Sequence, residues 1–194
     1  MIARQVRKQR AAATRASIVR TARLLLAAGP PSAFSHEAVA ANAGVAPRTV
    51  YRYFPTQADL VAAVWAQWTE ELSLRFPASA EEVPEWAARL FRCFDKEAPV
   101  VRAWLAAEAG QGPRRTAEVA DHGNWTHLLR PLVARLTPPA RGRVIAAVRV
   151  LCSASTWREL RGSGQLSGEG AAVAVEWATR ALLDALRRIP RRGN

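Results

Sequence analysis

A short run near the N-terminus carries side chains suited to bases and phosphates. Residues 47–54 read PRTVYRYF and supply two arginines, a threonine and two tyrosines. The fork of an arginine matches O6 and N7 of guanine, so Arg48 is the candidate base-reading residue. Hydroxyl groups suit phosphate oxygens, which makes Thr49, Tyr51 and Tyr53 candidates for positioning the protein on the DNA backbone. The chemistry indicated here is recognition of duplex DNA.

Two short helices separated by a glycine turn are needed to position this run. Ser35 is suited to N-cap the first helix, Gly44 to the left-handed residue of a tight turn, and Pro47 to the first turn of the second helix. Pro55 then ends the second helix. The pattern predicts a helix-turn-helix whose second helix enters the major groove.

Several residues in this segment have two interpretations. Ser35 and His36 stand at the start of the supporting helix, where amides and a side chain can meet a phosphate, but His36 is equally well an ordinary exposed histidine. Arg52 lies off the Arg48 side and either contacts the DNA backbone or is solvated. Tyr53 either contacts the DNA backbone or packs in an aromatic core cluster that includes Phe54.

Residues 14 to about 65 resemble the DNA-binding head of TetR-type transcriptional repressors. The resemblance rests on residues 41–45 (ANAGV), 49–54 (TVYRYF) and 56–60 (TQADL). It implies a three-helix head, a long fourth helix, and an all-α regulatory domain that dimerises and binds a small effector. The family commonly has lysine near the start of the fourth helix, where this chain has Gln57, so a neutral hydrogen bond to phosphate is expected there. The predicted DNA-binding set is Ser35, His36, Pro47, Arg48, Thr49, Tyr51, Arg52, Tyr53 and Gln57.

The positive charge of the chain is concentrated at its N-terminal end. The 194 residues have a formal net charge of +12, and residues 1–54 contain nine basic side chains against one acidic side chain. Such asymmetry is the footprint of a nucleic-acid-binding head. Residues 1–13 are polar and basic without an apolar stripe, so we expect a flexible arm whose Arg4, Arg7, Lys8 and Arg10 reach a neighbouring minor groove. The alternative is a membrane-surface or scaffold protein that uses this arm on anionic lipid.

Apolar residues recur at three- and four-residue spacing through most of the chain, which predicts an all-α fold. We expect residues 1–13 as the arm, 14–57 as the helix-turn-helix domain and 58–194 as the ligand-binding and dimerisation domain. Proline and glycine breaks predict the helices of this last domain at about residues 58–76, 85–98, 100–109, 117–136, 140–161 and 168–189.

The last two predicted helices have apolar stripes wider than one intramolecular face requires. The resemblance implies that they build a four-helix dimer interface, and a homodimer can span two half-sites of a DNA operator. The predicted interface residues are Leu151, Trp157, Trp177, Ala181, Leu182 and Ala185. Four aromatic residues fall on the central helices, where the family has its effector pocket. These residues, Phe91, Phe94, Trp104 and Trp125, indicate an apolar or aromatic effector, although core packing explains most of the seven tryptophans.

No catalytic triad, carboxylate pair, phosphate-binding glycine loop or metal-ligand cluster has workable spacing. We therefore expect no enzyme activity, cofactor or metal. Cys93 and Cys152 are far apart and fit a reducing compartment, and no signal peptide or membrane span is apparent. The sequence predicts a cytoplasmic homodimeric regulator, a repressor released from its operator by a small molecule.

Overall fold

The structure is a computed structural model that describes residues 2–29, 34–72, 74–109 and 115–189, and the side chains of residues 2, 3, 108, 109 and 115–122 lie outside this description. Within these ranges the regular elements are α-helices and one turn of 3-10 helix, so the predicted all-α fold is confirmed. The helices of the described chain are α1 (Ile2–Ala28), α2 (His36–Ala43), α3 (Pro47–Tyr53), α4 (Gln57–Glu71), α5 (Val83–Lys96), α6 (Ala98–Ala109), α7 (Arg115–Val133), α8 (Pro138–Leu151), α9 (Ala154–Arg161) and α10 (Gly168–Arg187). None of them is long and apolar enough to cross a membrane.

The chain forms two compact units. The first unit comprises residues 1–72 and 97–112, and the second comprises residues 73–96 and 113–194. The predicted boundary after residue 57 assigned α4 and α6 to the second domain. In the structure, both helices cluster with the three N-terminal helices in the first unit. The physical reason is that α4 and α6 supply apolar side chains to the same core.

The core of the first unit joins five helices. Val39 of α2 and Val50 of α3 are completely buried in it, as are Leu60 of α4 and Val100 of α6. Helix α1 enters this core only from its middle onward, through Ile18, Val19, Ala22 and Leu26. The two helices of the helix-turn-helix are therefore held on a scaffold of α1, α4 and α6.

The segment predicted as a flexible arm is helical, because α1 already begins at Ile2, and its flexibility stays a prediction. Residues 4–13 are exposed along their whole length, so no burial holds them in this conformation. Alanine, arginine, lysine and glutamine dominate this stretch, and all four are strong helix formers. Once the packed part of α1 provides a nucleus, extending the helix adds one hydrogen bond per residue.

Two other helix boundaries differ from the sequence expectation. Helix α4 ends at Glu71, before the proline that was expected to end it. The single helix expected over residues 140–161 is divided into α8 and α9. The break follows from a cap: the Ser153 hydroxyl accepts a hydrogen bond from the Thr156 amide at 3.2 Å and starts a new helix.

In the second unit, α10 packs mainly along α5. A bidentate ion pair supports this packing, because Arg92 donates to both carboxylate oxygens of Glu169 at 2.9 and 2.6 Å. The largest completely buried side chain of this unit is Trp157 on α9.

Candidate nucleic-acid interface

The helix-turn-helix is assembled by local signals that the sequence displays. The Ser35 hydroxyl caps α2 by accepting from the Ala38 amide at 3.1 Å. Gly44 ends α2 with a φ of 66°, in the left-handed region where glycine carries no steric penalty. Pro47 occupies the first turn of α3, and Val50 turns inward with no exposed surface. The predicted helix-turn-helix is confirmed.

The outer face of α3 presents polar side chains to solvent. Arg48 is exposed on its leading turn, Tyr51 is 45% exposed one turn later, and Thr49 is half-buried. The guanidinium carbon of Arg52 lies 5.3 Å from the centroid of the half-buried Tyr53 ring, which directs Arg52 to the flank of the helix. Of the two arginines, Arg48 is the one in the first turn of α3.

Tyr51 is linked to the start of α2 by two contacts. Its ring stacks on His36 with centroids 4.3 Å apart and planes inclined by 3°. Its hydroxyl donates to Oε1 of Glu37 at 2.9 Å, and this hydrogen bond raises the pKa of Tyr51. The Glu37 pKa is lowered, first by a hydrogen bond from the residue's own backbone amide and then by the Tyr51 hydroxyl. At neutral pH a phosphate must therefore compete with a charged carboxylate for this hydroxyl.

His36 does not have the exposed position that a phosphate contact needs. Its side chain is buried, and Nε2 donates to the Phe54 carbonyl oxygen at 2.8 Å. Since Phe54 is the C-cap residue of α3, this hydrogen bond ties the start of α2 to the end of α3. The predicted contact through the His36 ring is corrected to a positioning role.

Gln57 uses its side chain within the first unit. Its amide nitrogen donates to the Phe34 carbonyl oxygen at 2.6 Å. The start of α4 next to it is closed by a capping box, in which Thr56 and Asp59 each accept the other's backbone amide at 3.1 Å. Gln57 therefore helps to fasten the segment before α2, and one of its two amide hydrogens remains for another acceptor.

The four predicted effector residues belong to three different aromatic groups. Phe91 and Phe94 lie 5.9 Å apart in the second unit, where Phe94 also contacts Trp157. Trp125 lies in a separate cluster with Phe76 and Trp86, residues that the sequence analysis did not single out. Trp104 belongs to the first unit and stacks on Trp65 with centroids 4.4 Å apart. A pocket shared by all four residues stays a prediction, and their ring contacts are those of packed cores.

The predicted dimer residues divide by exposure. Trp177 on α10 is 73% exposed, Ala181 and Ala185 are exposed, and Leu151 and Leu182 are half-buried. Trp157 has no exposed surface, so its assignment to a subunit interface is wrong. Val150 and Val173 are exposed apolar residues outside the predicted interface set. The four-residue spacing of Val173, Trp177 and Ala181 was the available signal for this stripe.

Removing the Tyr51 hydroxyl tests its predicted contact with the DNA backbone. We expect Tyr51→Phe to weaken binding about threefold to tenfold at every sequence alike, because a backbone hydrogen bond positions the protein without reading bases. Fluorescence anisotropy measures the affinity of the variant for a preferred duplex and for shuffled duplexes. Glu37→Gln is the matched control, since it loosens the intramolecular hydrogen bond but leaves the hydroxyl in place. A loss confined to the preferred duplex would contradict a backbone role.

Comparisons with known proteins agree with this geometry. Residues 18–64 match the family model described as "Bacterial regulatory proteins, tetR family". Among solved structures, a TetR transcriptional regulator from Rhodococcus sp. RHA1 is similar in fold, with a TM-score of 0.59 and 20% sequence identity over 90% of this chain and 96% of that chain. No curated protein matches the chain.

Proposed function

We propose that the chain, whose residues 18–64 match the family model of tetR-type bacterial regulatory proteins, is a homodimeric TetR-type repressor that binds an operator through α3 and is released by a small effector. The observation that carries the proposal is the outer face of α3, where Arg48 and Tyr51 are exposed on a helix held by buried Val50. Regulators of this family are generally DNA-binding proteins without enzyme activity, and the proposal requires no catalysis.

An exposed stripe on α10 supports the homodimer. Val173 and Trp177 are 54% and 73% exposed, and Ala181 continues the stripe one turn later. Large exposed apolar side chains in a row mark interaction sites, and a self-complementary patch produces a twofold dimer. Such a dimer presents two copies of α3, which fits operators built from two half-sites. The operator is double-stranded DNA, and the proposed place of action is the cytoplasm.

The packing of α6 supports release by an effector. Although α6 follows α5 in the chain, it contributes Val100 to the core of the first unit and places Trp104 against Trp65 of α4. Arg23 of α1 forms ion pairs with Glu71 at the end of α4 and with Glu97 just before α6, the latter at 2.5 Å. The hydrogen bond to Glu97 is the main cause that raises the Arg23 pKa.

A displacement of α6 would therefore act directly on α1 and α4, which hold the helix-turn-helix. An effector changes operator affinity only if it binds more tightly to one of two conformations, the one with α6 in place or the one with α6 displaced. The aromatic side chains of α5 and α7, among them Phe91, Phe94 and Trp125, favour an apolar or aromatic effector.

Selection from a random DNA pool, followed by Arg48→Ala, tests the proposal. We expect one motif with two half-sites to be enriched, and we expect the variant to lose about 1–3 kcal/mol of discrimination at one base pair of each half-site, since a bidentate arginine–guanine contact has that value. Arg20→Ala, an exposed arginine on α1, is the matched control and should leave the motif unchanged. Failure to enrich any sequence, or an identical motif with Arg48→Ala, would refute this mechanism.

A further inference from the structure

The first half of α1 is a cationic helix without a covering element. Every residue from 4 to 13 is exposed, and the packed part of α1 begins only at Ile18. Four basic side chains, Arg4, Arg7, Lys8 and Arg10, lie in this stretch, and no acidic residue precedes Glu37 in the chain. This is a concentration of positive charge outside the helix-turn-helix.

Three of the cations form a stripe along one side of α1. At 3.6 residues per turn, Arg4, Lys8 and Arg15 lie within about 40° of one another around the helix axis. Ala22 and Leu26, which pack in the core of the first unit, share this side of the helix. The stripe therefore continues, beyond the packed core, the face of α1 that contacts α2 and α4.

The inner end of this stripe lies next to the recognition helix. The guanidinium carbon of Arg15 is 5.2 Å from the ring centroid of Phe54, the C-cap residue of α3. From there to Arg4 the helix extends about 16 Å at 1.5 Å per residue. A surface of that length begins beside α3 and extends away from it.

The charges on this segment repel one another until an anion neutralises them. Arg4 lies three and four residues before Arg7 and Lys8, and Arg7 lies three before Arg10, so each pair is adjacent on the helix surface. Cations at a helix N-terminus also oppose the helix dipole. Duplex DNA supplies about one phosphate charge per 1.7 Å of its axis, which is more than enough negative charge to neutralise the cations along this helix.

We propose that the Arg4, Lys8 and Arg15 stripe of α1 is a second DNA-binding surface, which lies along the phosphate backbone beside the groove entered by α3. It sets affinity and salt dependence, but not sequence preference. A helix about 10 Å wide does not fit a minor groove about 6 Å wide, so the stripe contacts phosphates from outside the groove. The inference rests on the proposed DNA-binding function.

The test compares two double variants that remove equal charge from the same helix. Arg4→Gln with Lys8→Gln removes the stripe, whereas Arg10→Gln with Arg20→Gln removes two exposed arginines that lie roughly 140° away from it. The affinity of the full chain for its selected duplex and for a shuffled duplex is measured at several salt concentrations. We expect the stripe variant to make the slope of log affinity against log salt shallower by about 2 per protomer on both duplexes, and the control variant to leave it unchanged.

Equal slopes for both variants would overturn the inference, because a general effect of charge does not depend on the face of the helix. If no sequence is selected but the stripe variant still loses affinity for any duplex, the proposed operator function fails and the second surface stands. The affinity of the full chain for phosphatidylcholine–phosphatidylserine vesicles, measured at the same salt concentration, is compared with its affinity for DNA. Tighter binding to these vesicles than to DNA, lost in the stripe variant, would assign the surface to lipid and overturn the inference.

Discussion

Replacing Trp177 by glutamate is expected to lower affinity for a two-half-site operator by about 10²- to 10⁴-fold. The indole is 73% exposed on α10, in the row that continues through Val173 and Ala181. In the proposed dimer this row is covered by its symmetry mate, where two glutamates would be buried without partners. Without the dimer, the two copies of α3 bind their half-sites independently and weakly. Linking two binding modules raises affinity by about 10²- to 10⁴-fold, so the same factor is lost.

Analytical ultracentrifugation and operator binding on the same sample check this result. The Trp177→Glu protein should sediment with the mass of one chain, 21.2 kDa, and should keep the helical content of the wild type. Leu24→Glu is the matched control, since Leu24 is 69% exposed on α1 and undergoes the same change of polarity. A Trp177→Glu protein that remains dimeric would place the interface elsewhere on the molecule.

Replacing Trp157 by alanine is expected to destabilise the second unit by about 3–5 kcal/mol, a typical cost for truncating a buried tryptophan. The side chain has no exposed surface, and its ring meets Phe94 edge-on with centroids 6.1 Å apart. Phe94 is tilted against Phe91, so the cavity would open inside an aromatic cluster. That loss is a large part of the 5–15 kcal/mol by which domains are stable.

Urea unfolding followed by circular dichroism measures this change. Trp157→Phe is the conservative control and should cost less, because it keeps an aromatic ring in the site. In the same assay, the unfolding free energy of the Trp177→Glu chain should be close to that of the wild-type monomer, once the contribution of dimer dissociation is subtracted. Unchanged stability of Trp157→Ala together with a loss of dimer would show that Trp157 lies at a subunit interface after all.

The helix-turn-helix is predictable from sequence because its signals are local. A serine cap, a glycine with positive φ and a proline in a first turn each act over three or four residues, as Ser35, Gly44 and Pro47 do here. The concentration of positive charge toward the N-terminus is likewise a property of composition alone. The three- and four-residue spacing of apolar residues predicts the all-α fold, and the guanidinium fork of Arg48 makes it the candidate base-reading residue.

Only the tertiary structure decided which side of each element is covered. His36 is buried because its Nε2 meets the carbonyl oxygen of Phe54, eighteen residues along the chain. Trp157 and Trp177 have the same side chain on neighbouring predicted helices, yet one is fully buried and the other is mostly exposed. Helix α6 joins the first unit because Val100 completes its core. Burial depends on contacts between distant segments, whereas caps, turns and charge are carried by neighbouring residues, and that difference separates what the sequence determined from what folding decided.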